Sequence, residues 1–255
     1  MKYFKVIGVM SILVFSFFLT DFVTDFAINN NSLMQTIKSI SDNYQVESVN
    51  ALIDGNTIIP GIKGKSVDEM ESYLNMKDFG VFNENYLIYT SIIPDVSIEN
   101  NKDKVIISGN KNIRQVSILI NDNNNIVKYS KDNSLSYTKL VKLKDEIDNH
   151  ENINIESTSE KFDDLDTILN RNKLNKNICL LNYSNIEKCI NKKYYIVKYS
   201  IEITNNNISN SLNSIENGYI INIDDNLSLE NFKLLIKYIN SKDLKIVYLS
   251  ELIKE

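Results

Sequence analysis

The segment GYIINIDDNLSLENFKLLIKYINSKDLKIVYLS, residues 218–250, carries two strand patterns with a helix pattern between them. The strands are predicted at residues 219–223 and 245–249. Ser228 is a typical N-cap for the helix. The apolar residues that follow it recur at the spacing of one helix face, namely Phe232, Leu235, Ile236 and Ile239. The order strand, helix, strand favours a parallel α/β fold.

The same alternation extends through the sequence before this segment. Further strands are predicted at residues 105–107, 116–120, 152–156, 178–181 and 194–197. Helices are predicted between them at residues 137–147, 162–169 and 186–190. Ligand sites in parallel α/β folds gather at the carboxyl ends of the strands. The residues just after each strand are therefore the candidates for a functional site.

A small α+β module is predicted at residues 51–112, ahead of this domain. It contains a helix at residues 67–76, for which Ser66 and Glu69 form a capping box. A strand at residues 86–93 follows and ends at Pro94.

The residues before this module predict a stalk and a membrane anchor. In the stalk, residues 30–50, apolar residues recur at helical spacing. Lys2 and Lys5 precede an uncharged run, and no small-x-small cleavage site follows that run. We therefore favour an uncleaved single-pass anchor, residues 1–29, over a cleaved signal peptide. The basic N-terminus stays in the cytoplasm, which places the body outside the cell membrane.

The two cysteines leave two alternatives open. Cys179 and Cys189 can form a disulfide outside the cell, or they can remain two buried free thiols. The sequence alone does not place their Cα atoms within bridging distance.

The charge and the histidine content exclude several classes of function. The net charge is −5, which argues against binding nucleic acid, because phosphates need a basic face. His150 is the only histidine, so metal sites that need two or three histidines are excluded.

Polar residues follow three of the predicted elements. Asn121 and Asp122 follow the strand at residues 116–120, and Asp224 and Asp225 follow the strand at residues 219–223. His150 ends a stretch, residues 146–150 with Asp148 in its middle, that follows a predicted helix. With these residues the chain resembles the NodB-homology polysaccharide deacetylases, carbohydrate esterase family 4 (CE4).

The resemblance implies a (β/α) barrel and a metal-dependent N-deacetylase, and it assigns a role to each position. Asn121 stands at the position of the catalytic base, and Asp224 stands where the family has its general acid, a histidine. Asp122 and His150 stand at metal-ligand positions, and Asn154 replaces a second histidine ligand. Residues 113–255 would form this domain.

The departures from the family pattern predict a degenerate site. Asn121 cannot accept a proton from water, and Asp122 with His150 offers only two strong ligands where a catalytic zinc has three. Only 28 positions separate Asp122 from His150, so one βα unit is missing and the barrel is shortened and distorted. We therefore favour a surface histidine over a metal ligand as the interpretation of His150.

These observations predict a membrane-anchored, extracytoplasmic protein that has lost catalysis and binds cell-envelope glycan or an envelope protein. The glycan would be peptidoglycan or another N-acetylated polysaccharide, and no cofactor is expected. Two alternatives remain. One is an active N-deacetylase that uses zinc or another divalent metal, and the other is a structural envelope protein without glycan contact.

Overall fold

The computed structural model describes residues 2–147 and 149–255. Helices and strands follow one another in the order α1 (Lys2–Asn29), α2 (Ser32–Ser41), β1 (Leu52–Asp54), β2 (Thr57–Ile59), β3 (Gly64–Val67), α3 (Glu69–Met76), β4 (Tyr89–Ile92), β5 (Val105–Ile106), β6 (Gln115–Ile120), α4 (Asn124–Asp132), β7 (Thr138–Val141), β8 (Glu151–Asn154), α5 (Ser159–Arg171), β9 (Ile178–Leu180), α6 (Ile186–Asn191), β10 (Tyr195–Val197), β11 (Ile201–Ile203), α7 (Ile208–Ser214), β12 (Ile220–Ile223), α8 (Leu229–Ser241), β13 (Lys245–Val247) and α9 (Leu249–Leu252).

The chain divides into two compact units, and their boundaries differ from the predicted ones. The first unit comprises Met1–Ser48 and Lys63–Ile93, and the second comprises Val49–Ile62 and Pro94–Glu255. The predicted module, residues 51–112, is therefore shared between them. The reason is strand pairing, because β1, β2 and β5 join the sheet of the second unit.

The predicted stalk, residues 30–50, contributes to the core of the first unit. The helix predicted there is confirmed as α2, and Asn31 caps it by accepting a hydrogen bond from the backbone N–H of Leu33 at 2.9 Å. Leu33 and Ile37 are buried against apolar residues of the rest of this unit, namely Val67, Met76 and Leu87. This burial holds the segment to its unit rather than leaving it as a spacer.

The predicted capping box at Ser66 and Glu69 is wrong. Ser66 lies inside β3, where it pairs with Thr90 of the antiparallel strand β4. Extended pairing continues through Val67, so the helix α3 begins only at Glu69. Asp68 caps it instead, with its carboxylate accepting a hydrogen bond from the N–H of Glu71 at 3.0 Å.

The predicted anchor, residues 1–29, corresponds to α1, except that Met1 lies outside the described residues. Among the helices that the structure describes, none combines the length and the apolar character needed to cross a membrane.

The second unit contains a six-stranded parallel sheet centred on β6. Five of its strands have the order β11-β12-β6-β7-β8, and the sixth, β13, also pairs with β6. On one side β6 pairs with β12 over Ser117–Ile120. On the other side β13 pairs with the first half of β6 and β7 pairs with the second half. The strands predicted at residues 116–120 and 219–223 are confirmed. The strand predicted at residues 245–249 is confirmed up to Val247, since the helix α9 begins at Leu249.

A five-stranded sheet, in the order β1-β2-β5-β10-β9, completes the second unit. The pair β1-β2 is antiparallel and the other pairs are parallel. The strand β9 lies beside β8, and β10 continues into β11 after residues 198–200. The strands β6, β7, β8, β9, β10–β11 and β12 therefore follow one another around a distorted barrel. The predicted parallel α/β architecture is confirmed.

Alternation along the strands separates the interior of the barrel from the face that the helices cover. Residues from both sheets form one buried cluster inside the barrel, which includes Leu119, Leu140, Ile153, Leu180, Val197 and Ile220. Their neighbours on the opposite faces of the strands pack against α8, and this second cluster includes Ile118, Ile120, Ile221, Phe232 and Leu235. Strands that are buried on both faces are typical of parallel sheets covered by helices.

The helix predicted at residues 137–147 is wrong, because residues 138–141 form the strand β7. Thr138 pairs with Leu119 and Leu140 enters the barrel interior, so tertiary packing outweighs the helical spacing of the leucines. The helix of this region is α4, which begins in an asparagine-rich stretch, residues 123–125. Asn123 caps it by accepting a hydrogen bond from the N–H of Ile126 at 3.2 Å.

The predicted loss of a whole βα unit is therefore also wrong. Between Asp122 and His150 the chain makes the helix α4 and the strand β7, which continue from β6 as one unit. What the described residues lack is a helix between β7 and β8, where residues 142–147 and 149–150 form a connection and Asp148 lies outside the described residues.

A disulfide joins Cys179 in β9 to Cys189 in α6, which settles the question that the sequence left open. Ten positions separate the two cysteines. The closed loop includes Tyr183 and Ser184, which lie just after β9.

We expect Gly218→Ala to destabilise the second unit strongly. Gly218 has a φ of +82°, and a Cβ there would overlap the carbonyl oxygen of Gly109, whose N–H donates to the oxygen of Gly218 at 2.7 Å. Strain and overlap together should cost about 3 kcal/mol in the free energy of unfolding, measured by urea denaturation. Gly55→Ala is the control in the same unit, since Gly55 also has positive φ, +54°, but open space around it. An equal loss in both variants would contradict the close approach.

We expect reduction of the disulfide to lower the free energy of unfolding by about 3 kcal/mol, the loop-closure entropy of a short loop. The measurement is the urea midpoint with and without dithiothreitol. The double variant Cys179→Ala, Cys189→Ala is the control, and its midpoint should not respond to the reductant. A wild-type midpoint that is also indifferent would show that the thiols are free.

Candidate functional site

Polar and aromatic side chains gather where the barrel strands end, and we call this group the barrel mouth. Its members are Asn121, Tyr183, Tyr199, Glu202, Asn222, Asp224 and Asp225. Asn121 follows β6, Tyr183 follows β9 and Tyr199 follows β10. Parallel strands bring Asn121 and Asp224 to the same edge, as the sequence predicts for them. Tyr199 lies at the carboxyl end of β10 but is level with Tyr219, which precedes β12.

One hydrogen-bond network ties the loop after β6 to the loop after β12. The carboxylate of Asp225 accepts from Nδ2 of Asn121 at 3.0 Å and from the backbone N–H of Asp122 at 3.4 Å. Nδ2 of Asn123 donates to the carbonyl oxygen of Asp225 at 3.0 Å. Asn121, at the family's base position, is therefore an amide held by a neighbouring carboxylate. It has no oxygen that can accept a proton from water at neutral pH.

Asp224, at the family's acid position, stabilises its own loop. Its Oδ1 accepts from the backbone N–H of Asn226 at 3.0 Å, and its N–H donates to the carbonyl oxygen of Ile203 at 3.0 Å. The first bond is a local turn of the kind that aspartate favours after a strand. The placement at the mouth agrees with the resemblance, while the hydrogen bonds assign a structural role.

A second network lies deeper in the mouth. Nδ2 of Asn222 donates to Oε1 of Glu202 at 2.8 Å and to the hydroxyl of Tyr183 at 3.4 Å. Only 3% of Asn222 is exposed, and its Oδ1 has no hydrogen-bond partner among the described residues. The rings of Tyr183 and Tyr199 meet edge to face, with centroids 6.4 Å apart. A buried acceptor without a partner calls for an explanation, and an absent hydrogen-bond donor from a ligand or water is one.

Burial raises the pKa of the Tyr183 hydroxyl above its ordinary value, and the charges of Glu202 and Asp225 contribute. The hydroxyl therefore stays protonated across the physiological pH range. Sequence reasoning missed Glu202 and Asn222. The signal for Asn222 is the alternation of β12, because Ile220 enters the barrel interior and Asn222 lies on the same face.

His150 lies at the opposite end of the strands from Asp122. It immediately precedes Glu151, which begins β8 and pairs with Thr138 at the start of β7. The register places Asp122 level with Asn154, four residues further along β8. At about 3.3 Å per residue the offset is about 13 Å along the strands, far beyond a shared metal ion.

The surroundings of His150 explain its position. Its ring stacks on Tyr137, with centroids 4.4 Å apart and planes inclined by 27°. The hydroxyl of Tyr248 lies 3.4 Å from Nδ1 of His150. The histidine is thus one of three aromatic rings that pack at the amino ends of β7 and β8.

Asn154 uses its amide to join β8 to α5. Its Nδ2 donates to the carbonyl oxygen of Phe162 at 2.9 Å, and its Oδ1 accepts from the N–H of Glu156 at 2.9 Å. The residue is buried on the outward face of the strand. Its oxygen is therefore already occupied and does not face the barrel mouth.

The predicted metal residues Asp122, His150 and Asn154 are consequently not brought together. Within residues 2–147 and 149–255, no group of three or more histidine, cysteine, aspartate or glutamate side chains could hold a metal ion. These residues do not fit the metal centre that the resemblance implies, because register separates His150 from Asp122 and hydrogen bonds occupy Asn154.

We expect His150→Ala to leave the affinity of the protein for zinc unchanged, because the side chain lies far from Asp122. The measurement is a competition titration of the full-length protein against a chromophoric zinc chelator. The same substitution should lower the free energy of unfolding by about 1 kcal/mol through loss of the aromatic stack. Tight zinc binding that both His150→Ala and Asp122→Ala abolish would contradict the geometry.

Comparison with known proteins places this architecture. No family model matches the sequence. A stretch of 94 residues, 36% of the chain, is 33% identical to the uncharacterized protein YlxY of Bacillus subtilis (strain 168), and the chain spans only 30% of that protein's length. The crystal structure of wild-type BA3943, a CE4 family pseudoenzyme from Bacillus anthracis, superposes with a TM-score of 0.59. The match covers 88% of this chain and 95% of that one at 18% identity.

A mutant of BA3943 with restored enzymatic activity superposes with a TM-score of 0.60, also at 18% identity, over 88% of this chain and 98% of that one. At this level of identity the similarity concerns the fold. The chain therefore has a mixed α/β fold with parallel sheets, similar to that of CE4 NodB-like proteins.

Proposed function

We propose that this protein is a catalytically degenerate member of the CE4 deacetylase group that binds cell-envelope glycan at its barrel mouth. The observation that supports loss of catalysis is the separation of His150 from Asp122 along the strands. A metal-dependent hydrolase needs its ligands around one ion and a base beside the bound water. Here Asn121 replaces the base, and the carboxylate of Asp225 holds its amide in place.

The barrel mouth supports a binding role. Glycans present hydroxyl donors and apolar ring faces, and proteins recognise them with acceptors and aromatic side chains in a concave site. Tyr183 and Tyr199 supply the rings, Glu202 supplies a carboxylate, and Oδ1 of Asn222 supplies an unpaired acceptor. The ligand we propose is peptidoglycan or another N-acetylated polysaccharide, and an envelope protein is the alternative partner.

An extracytoplasmic location accompanies this proposal. The disulfide between Cys179 and Cys189 supports it, because disulfides persist in oxidising compartments outside the cytoplasm. Location at the cell membrane stays a prediction of the N-terminal sequence.

The test has two parts, catalysis and binding. Full-length protein is incubated with N-acetylglucosamine oligomers and peptidoglycan, with and without zinc or cobalt, and released acetate is measured. We expect no acetate above the protein-free control. Binding of the same oligomers is measured by titration calorimetry, and Tyr183→Ala should weaken it about tenfold through loss of ring stacking. Tyr238→Ala, on the helix α8, is the matched control that should bind like the wild type.

Two outcomes separate the alternatives. Metal-dependent acetate release that disappears in Asp122→Ala would overturn the proposal and establish an active deacetylase. Binding of no glycan by a folded protein would leave a structural or protein-binding role. Asn121→Asp adds a sharper test, since we expect it to restore no activity. It returns a carboxylate to the base position, but it does not bring His150 to Asp122.

A further inference from the structure

A cavity opens at the carboxyl edge of the five-stranded sheet. It shares Tyr199 with the barrel mouth, and its other lining residues lie outside that group. Its volume is about 320 Å³. Ser108 follows β5, while Lys198, Tyr199 and Ser200 follow β10. Lys111 and Tyr219 complete the polar lining. Ligands of parallel sheets bind outside the carboxyl ends of the strands, and this cavity has that position.

The charge of the cavity is positive. Lys111 and Lys198 are both exposed, and neither forms an ion pair with any residue that the structure describes. None of the described residues lining the cavity carries a carboxylate. Two ammonium groups without a counter-ion favour an anionic ligand.

The third observation is a buried hydroxyl without a partner. Ser108 is only 4% exposed, and its Oγ makes no hydrogen bond with the described residues. Leaving a buried hydroxyl unpaired costs free energy, so such a group calls for an explanation such as an absent ligand. A ligand oxygen in the cavity would accept its proton.

The hydroxyls of Tyr199 and Tyr219 add further donors. Burial raises the pKa of Tyr199, with a contribution from the charge of Glu202, and burial raises that of Tyr219, with a contribution from Glu216. Both phenols therefore remain protonated at neutral pH and can donate to an oxyanion.

The backbone holds this lining in place before any ligand binds. Oγ of Ser200 donates to the carbonyl oxygen of Ile107 at 2.8 Å, directly beside Ser108. The N–H of Gly109 donates to the oxygen of Gly218 at 2.7 Å. Nδ2 of Asn217 donates to the carbonyl oxygen of Lys111 at 2.9 Å. A site fixed in this way loses little freedom when it is filled.

We propose that this cavity binds the phosphate group of a small phosphate ester. A phosphate monoester carries nearly two negative charges at neutral pH and three acceptor oxygens, which match two lysines and the hydroxyl donors. The cavity volume leaves room for a small polyol attached to the phosphate. The site shares Tyr199 with the barrel mouth, while its lysines and Ser108 lie outside that group.

The experiment is titration calorimetry of the full-length protein with inorganic phosphate, glycerol 3-phosphate and uncharged glycerol. We expect saturable binding of both phosphates with a dissociation constant of about 1 mM or tighter, and none of glycerol. Tighter binding of the ester would identify an esterified ligand rather than free phosphate. Lys198→Gln and Lys111→Gln should each weaken binding about tenfold. Lys237→Gln, an exposed lysine on α8, is the charge-matched control and should bind like the wild type.

Ser108→Ala distinguishes a ligand site from a general basic surface. We expect it to weaken phosphate binding about fivefold, while thermal stability stays equal or rises because no buried hydrogen bond is lost. Phosphate binding that neither Ser108→Ala nor Lys198→Gln weakens would overturn the proposal, and so would the absence of saturable binding.

Discussion

The parallel register of β6 is the constraint on which the rest of this protein depends. This strand pairs with β12 on one side and with β7 and β13 on the other. It therefore fixes the position of each of these strands along the common strand direction. Through β7 it also fixes β8. The register brings Asn121 and Asp225 to one edge of the sheet and sends His150 to the other. The separation of His150 from Asp122 follows from this pairing.

Amides now occupy positions that the resemblance assigns to acid–base and metal chemistry. Asn121 is bound by the carboxylate of Asp225, and Asn154 joins β8 to α5. Asn121 donates through Nδ2, and Asn154 donates through Nδ2 and accepts through Oδ1. The same positions therefore hold loops and elements together.

Much of the fold could be predicted from the sequence, because strands buried on both faces leave continuous apolar runs such as residues 116–120. The strand β7 could not, since Leu140 and its neighbours fit helical spacing equally well and only pairing with β6 distinguishes the two. The asparagine run at residues 123–125 is typical of a turn, yet the helix α4 begins within it. At the site, Asn121 and Asp224 directly follow predicted strands, so the sequence is enough to place them at strand ends. Placing Glu202 and Asn222 at the site requires knowing which face of each strand enters the barrel. The position of His150 along the strands depends on register, which a single sequence does not specify.

The disulfide between Cys179 and Cys189 encloses the loop that carries Tyr183. Besides the disulfide, the loop is held by packing of Tyr183 on the barrel interior and by hydrogen bonds such as that from Oγ of Ser184 to the carbonyl oxygen of Asn154, at 2.6 Å. One covalent step thus sets the conformational freedom of an aromatic wall of the barrel mouth. Breaking this bond would free the segment that carries Tyr183, so the binding proposed at the barrel mouth would respond to the redox state of the surroundings.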